Sequence, residues 1–167
     1  MREKIGNFDA FQETVEKLNA GGLLLVSGDK GNPMTIGWGT VGIIWGRPVF
    51  LVLVRPSRYS FSLMETKDEF SVNVPPDGLK KEMAYCGSAS GRDVDKVKEC
   101  GFTLGKGKLI SVPYIEECPV HYECRLIHKN SVINADLDYE IVKQYYASGD
   151  LHRIYFGEIL GVYREKT

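Results

Sequence analysis

The chain carries almost no net charge. Lys+Arg 21 stand against Asp+Glu 22, a formal net charge of -1, so a global electrostatic pull on nucleic acid or acidic lipid is not expected. Long apolar runs are missing: Leu23–Val26 and Val49–Val54 are far shorter than a membrane-crossing helix requires. The opening Met1-Arg2-Glu3-Lys4-Ile5-Gly6 lacks the apolar core of a secretory signal, and a cytoplasmic location is expected. Cysteine is sparse and unpatterned. Cys86, Cys100, Cys118 and Cys124 include no Cys-x-x-Cys pair, so they read as reduced thiols rather than a disulfide framework. On an extended strand Cys118 and Cys124 share a face and His121 points away, so no metal site is expected. Repeats and low-complexity tracts are absent as well.

What is present suits one compact domain spanning 1–167, with 43% hydrophobic and 26% charged residues. Phe8, Phe11, Val15 and Leu18 recur at helical spacing between an Asn7 cap and a Gly21-Gly22 stop, predicting a helix that covers a sheet. Strands are expected at Leu23–Ser27, from about Met34 to Ile44, and at Val49–Val54. Another is expected through Phe70, Val72 and Val74, half-buried and stopped by Pro75-Pro76. Helices follow at Ser57–Lys67, Leu79–Tyr85 and Asp93–Cys100. Short strands are expected at Phe102–Leu104 and Lys108–Ile110, then longer ones at Val120–His128 and His152–Tyr163, the last with a bulge at Gly157. Between those two, Ala135–Ser148 reads as an exposed inserted helix. Many short strands with marginal helices indicate a mainly β barrel rather than a doubly wound sheet.

Gly37-Trp38-Gly39-Thr40-Val41-Gly42 matches the dinucleotide fingerprint G-x-G-x-x-G letter for letter. That fingerprint works only where it leaves a strand and opens a helix, whose N-terminus receives the pyrophosphate. Here the next residues run through Trp45-Gly46-Arg47-Pro48 into another strand, so a Rossmann site is excluded. Two explanations of the glycines stay open: close approach of a flat ligand beside Trp38, or a kinked barrel strand with Trp38 in the core.

Several segments taken in order resemble the flavin reductase-like, FMN-binding split-barrel family, and within it the flavoredoxin-like branch. They are Asn32-x-Met34-Thr35-x-x-Trp38-Gly39, Arg55-Pro56-Ser57-Arg58-Tyr59-Ser60, Glu69-Phe70-Ser71-Val72-Asn73, Ser88-x-Ser90-Gly91-Arg92-Asp93-x-Asp95-Lys96, Glu117-Cys118-Pro119 and Gly157-Glu158-Ile159. The resemblance implies a Greek-key split β-barrel with flanking helices, a homodimer, and FMN near the subunit interface. It implies that Asn32, Thr35, Gly37, Trp38 and Thr40 line the flavin ring. Arg55, Ser57, Arg58 and Ser60 would serve the phosphate, a role suited to guanidinium forks and hydroxyls. Ser90, Gly91 and Lys96 would approach the cofactor from a re-entrant loop, and His152 would stand on the flavin side. Without the motif, Lys96 is an ordinary solvated lysine and Arg58 a helix-start charge; His121 and His128 read as ordinary strand residues.

The implied activity is that of a flavin-dependent oxidoreductase, taking hydride from NADH or NADPH onto FMN and passing electrons to an acceptor, with a redox protein as a further partner. Flavin chemistry needs no catalytic triad, and no catalytic side chain is assigned. An electron-transfer protein without a nicotinamide site, and a dimeric scaffold that has lost its flavin, are the alternatives. Two features depart from the family pattern. Ser60 stands where relatives commonly have threonine. The chain also ends soon after Tyr163, where some relatives carry a flavin-covering aromatic; Tyr139, Tyr145 and Tyr146 of the insertion are its candidate replacement.

Overall fold

A computed structural model describes residues 1–166. In chain order the elements are β1 (Arg2–Ile5), α1 (Phe11–Asn19), β2 (Leu23–Ser27), β3 (Asn32–Ile36), β4 (Gly39–Ile44) and β5 (Arg47–Val54). Then come α2 (Tyr59–Thr66), β6 (Glu69–Val74), α3 (Lys80–Ser88), α4 (Lys96–Cys100), β7 (Leu104–Gly105) and β8 (Tyr114–Ile115). The chain closes with β9 (Val120–Ser131), a 3-10 turn at Asn134–Asp136, α5 (Tyr139–Tyr145) and β10 (Arg153–Glu165).

The main sheet is eight-stranded, with strand order β3-β2-β6-β9-β10-β5-β4 and β1 added to β10. Every pairing is antiparallel. The two end strands of this path, β3 and β4, are consecutive in sequence and joined only by Gly37-Trp38. The sheet therefore curls until its edges meet at that joint, where no ladder connects them among the described residues. This is the Greek-key split barrel with flanking helices that the strand pattern and the resemblance led one to expect. The expected single strand from Met34 to Ile44 is corrected: it breaks at Gly37-Trp38, because the chain must cross from one sheet edge to the other.

Side-chain alternation explains two cores. Leu23 and Leu25 of β2 face the barrel interior with Phe50, Val52, Phe70, Val72, Tyr122, Cys124 and Tyr155. Leu24 and Val26 point the other way, onto Met83 and Cys86 of α3 and onto Phe102, Val112, Ile115 and Cys118. That outer cover also corrects β6. The strand was expected to be half-buried, but Ser71 and Asn73 are fully buried too. Ser71 Oγ donates to the Pro113 carbonyl, and the Asn73 side-chain carbonyl accepts from the Ile115 amide. Buried polar groups tolerate such a place because they are bonded.

Other expectations shift. The α1 cap is Ala10, not Asn7, and the face carrying Phe8, Phe11 and Val15 is exposed, while Thr14 is buried against Tyr122. No strand forms at Lys108–Ile110; β7 pairs with β8 instead. The expected bulge occurs, with a register shift between Phe156 and Gly157. A Cβ at Gly157 would stand 2.3 Å from the Phe70 ring, so the barrel interior requires glycine there. Cys118 and Cys124 lie in different cores. No group of His, Cys, Asp or Glu suited to a metal ion exists among the described residues.

Candidate functional site at the barrel seam

The break between β3 and β4 opens a cleft of about 220 Å³, lined by Met34, Thr35, Ile36, Gly37, Trp38, Leu53, Arg55, Arg58 and His152. Gly37 faces open space, with no atom within 4 Å of a Cβ placed there. Trp38 is 40% exposed, which removes the explanation of this indole as core. A second hollow of about 610 Å³ includes Asn32, Tyr59, Gly91, Arg92 and Lys96 in its wall. Of the residues grouped by sequence reasoning, Thr35, Gly37, Trp38, Arg55, Arg58 and His152 line the cleft and Asn32, Gly91 and Lys96 the second hollow, while Ser57, Ser60 and Ser90 line neither. Thr40 is exposed on β4.

Arg58 and Lys96 link the two hollows. Arg58 donates to the Gly87 carbonyl at 2.9 Å and the Cys86 carbonyl at 3.4 Å. Lys96 is buried and donates to the carbonyls of Pro33 (3.1 Å) and the same Cys86 (3.0 Å). Both cations converge on backbone carbonyls at the C-terminal end of α3. Neither forms an ion pair with a carboxylate among the described residues. Burial lowers the Lys96 ammonium to about 8, with the Arg58 charge adding to that push, and burial also lowers Arg58. A guanidinium has five N–H donors and an ammonium three, so donors remain on both. A buried lysine beside a half-buried arginine with no ion-paired counter-charge is costly unless an anion joins them.

Arg55 and Ser57 are engaged elsewhere. Arg55 donates to the carbonyls of Asp150 (3.0 Å) and Tyr145 (3.1 Å), with its guanidinium over the Tyr146 ring. The Ser57 amide and hydroxyl both donate to the Asp150 carboxylate. Ser60 accepts from the Asn32 side-chain amide at 3.1 Å. Gly91 packs so closely that a Cβ would stand 2.0 Å from Asn32 Oδ1, and the Ser90 hydroxyl accepts from the Arg92 amide. Thr35 donates to the Met83 carbonyl at 2.6 Å.

The α5 excursion lies against the seam. Tyr145 meets Trp38 edge-on at 4.9 Å between ring centroids, and His152 packs on Trp38 at 5.0 Å. Tyr146 and His152 are bonded through the phenol oxygen and Nδ1 at 2.7 Å. Burial and the nearby Arg55 charge push the His152 imidazole down to about 4. Asp150 and the Cys86 carbonyl were missed by sequence reasoning. The Gly149-Asp150 turn was a visible signal for the first; a backbone acceptor leaves none.

Residues 17–167 match the family described as Flavin reductase like domain. An uncharacterized protein of Archaeoglobus fulgidus is 33% identical over 140 residues, covering 83% of this chain and 69% of the relative. For a Pyrococcus abyssi relative the match spans only 59% of its length. Flavoredoxin from Methanosarcina acetivorans superposes with a TM-score of 0.68 at 29% identity, over 86% of this chain and 68% of that one. An FMN-binding protein from Thermus thermophilus, solved with p-hydroxybenzaldehyde, gives 0.68 at 25% identity, over 86% and 71%. A protein with a split barrel domain from Shewanella frigidimarina gives 0.70 at 13% identity over 95% and 75%, which speaks to the fold alone. With the family description matching nearly its whole length, this chain belongs to the flavin reductase-like family.

Proposed function

We propose that this chain is a single-domain, FMN-binding oxidoreductase that accepts hydride from NADH or NADPH and passes electrons to an acceptor. The observation that carries the reading is the convergence of Arg58 and Lys96 on the Cys86 carbonyl, with no ion-paired carboxylate among the described residues, beside a seam cleft walled by an exposed indole. That donor set suits a phosphate attached to a flat aromatic ring: cations for the anion, Trp38 for the ring, and open backbone at Gly37 for close approach. When bound, FMN supplies the two-electron chemistry of its ring. Arg58 and Lys96 would hold the phosphate, and Ser60 and Ser90 would offer hydroxyls to it. Asn32, Gly91 and Tyr59 keep the loop walls in register. Trp38 would flank the ring, His152 and Thr35 would border it, and Arg55 contributes charge to the cleft while bonding the Tyr145 carbonyl at the end of α5. Exposed Phe8, Phe11 and Val15, and Ile43 and Trp45 at the β4–β5 hairpin, offer apolar surface for a homodimer.

Stopped-flow reduction of the FMN-loaded protein tests the activity. Bleaching of the flavin by NADH or NADPH supports it; no bleaching with either leaves the electron-carrier reading. That second reading is favoured by Tyr145, which lies edge-on to Trp38 and narrows the approach for another ring. Failure of FMN to bind or to raise the melting temperature removes both, leaving the scaffold alternative.

A further inference from the structure

His152 has two ring nitrogens in different surroundings. Nδ1 is held by the Tyr146 hydroxyl at 2.7 Å. Nε2 has no hydrogen-bond partner among the described residues, yet it is not one of the sealed, unpartnered atoms, which are Arg2 Nε and Ser27 Oγ. A nitrogen that is neither bonded nor sealed opens to space, and His152 is part of the cleft wall. Which nitrogen carries the proton then decides what the cleft meets: a donor or an acceptor.

We propose that Tyr146 is a positioning residue that donates its hydroxyl proton to Nδ1 of His152 and so fixes the neutral imidazole with its hydrogen on Nε2. The cleft wall thereby presents an N–H donor, matched to a carbonyl or ring-nitrogen acceptor on the edge of a flat heteroaromatic ligand. The surroundings agree. Arg55, at the end of β5, places its guanidinium over the Tyr146 ring and disfavours a second positive charge on the imidazole. Asp150, preceding β10, pulls the other way, but its carboxylate is held by Ser57. Burial raises the Tyr146 phenol above its usual range, so it keeps the proton it donates. The inference deepens the flavin reading by assigning a donor to the same cleft, and it rests on that reading for the identity of the ligand.

The test is long-range proton–nitrogen NMR on the full chain labelled at histidine, without flavin, with His152→Gln used to assign the signals. His152 is expected as a single tautomer, with hydrogen on Nε2, charging only well below the ordinary imidazole range. In Tyr146→Phe, which keeps the ring and removes the hydroxyl, the tautomers should mix. The titration should move upward, because the lost bond had stabilised the neutral ring. Hydrogen on Nδ1 in the parent protein, or an unchanged tautomer in Tyr146→Phe, would overturn the proposal. The tautomer is read without FMN, so failure of FMN to bind would refute the functional reading separately.

Discussion

Lys96 concentrates the chemistry of the site in one side chain. As an isolated residue it reads as a solvated lysine; in the fold it is buried, bonded to two carbonyls and close to Arg58. Its ammonium is lowered to about 8, so it is charged below that pH and neutral above. FMN affinity, measured by quenching of flavin fluorescence, should therefore fall as pH rises through about 8. A bound phosphate favours the charged form and draws the transition upward. A flat profile from pH 7 to 10 would remove Lys96 from the phosphate site. The motif containing Lys96 was legible in the sequence, but its partners were not, because they are main-chain carbonyls brought together only by α3 and β3. The same limit applies to Arg55 and Ser57, whose contacts with Tyr145 and Asp150 cross long stretches of sequence. His121 lies in a strand as expected, but its partners could not be read from the sequence. Within β9 it is fully buried, stacked on Tyr114 at 3.9 Å and bonded to Glu123.

Period-two alternation and turn residues made most strands legible among the secondary elements. The helix covering the sheet was placed correctly, but most of its expected apolar face was not buried: α1 buries Thr14 and packs Leu18 on the core, leaving Phe11 and Val15 outside. The bulge in β10 was visible as a glycine in an apolar run, and its reason is steric. Gly157→Ala would drive a Cβ into Phe70 and Cys124, so urea denaturation should show a loss of about 1–3 kcal/mol, as for an overpacked core. A loss below ~0.5 kcal/mol would show that the barrel yields there. At the end of α2, Glu65 binds Lys129 of β9 and Arg153 and Tyr155 of β10. Burial pushes its carboxyl up, but those three partners outweigh it and hold it at about 2. A carboxylate lowered on folding stabilises the native state above its unfolded range, and that contribution is lost as pH falls through the folded value. Comparing Glu65→Gln with the parent chain, the stability gap should be open at pH 6 and closing by pH 2–3. A gap that does not change with pH would contradict the assignment. In the α5 excursion, Asp150→Ala should free Ser57 and speed amide exchange across Tyr139–Tyr146, read by mass spectrometry. Unchanged exchange would mean that Arg55 alone suffices.

For the molecule as a whole, the architecture was legible because a barrel needs only alternation, turns and short connections. What could not be read was where it splits, since Gly37-Trp38 looks like part of a continuous strand until the sheet order makes β3 and β4 the two open edges. That split turns a glycine-rich strand into a site. It exposes Trp38, opens the backbone at Gly37, and sets both in one cleft with Arg58, which shares the Cys86 carbonyl with Lys96. The central claim is that this seam binds FMN through its phosphate and ring together. The most direct measurement is calorimetric titration of the purified chain with FMN, alongside Arg58→Ala and Lys96→Ala. Saturable binding is predicted, weakened in each variant by about 1–3 kcal/mol, the worth of a charge-assisted hydrogen bond. Binding of equal strength in all three proteins, or none in the parent, would contradict it.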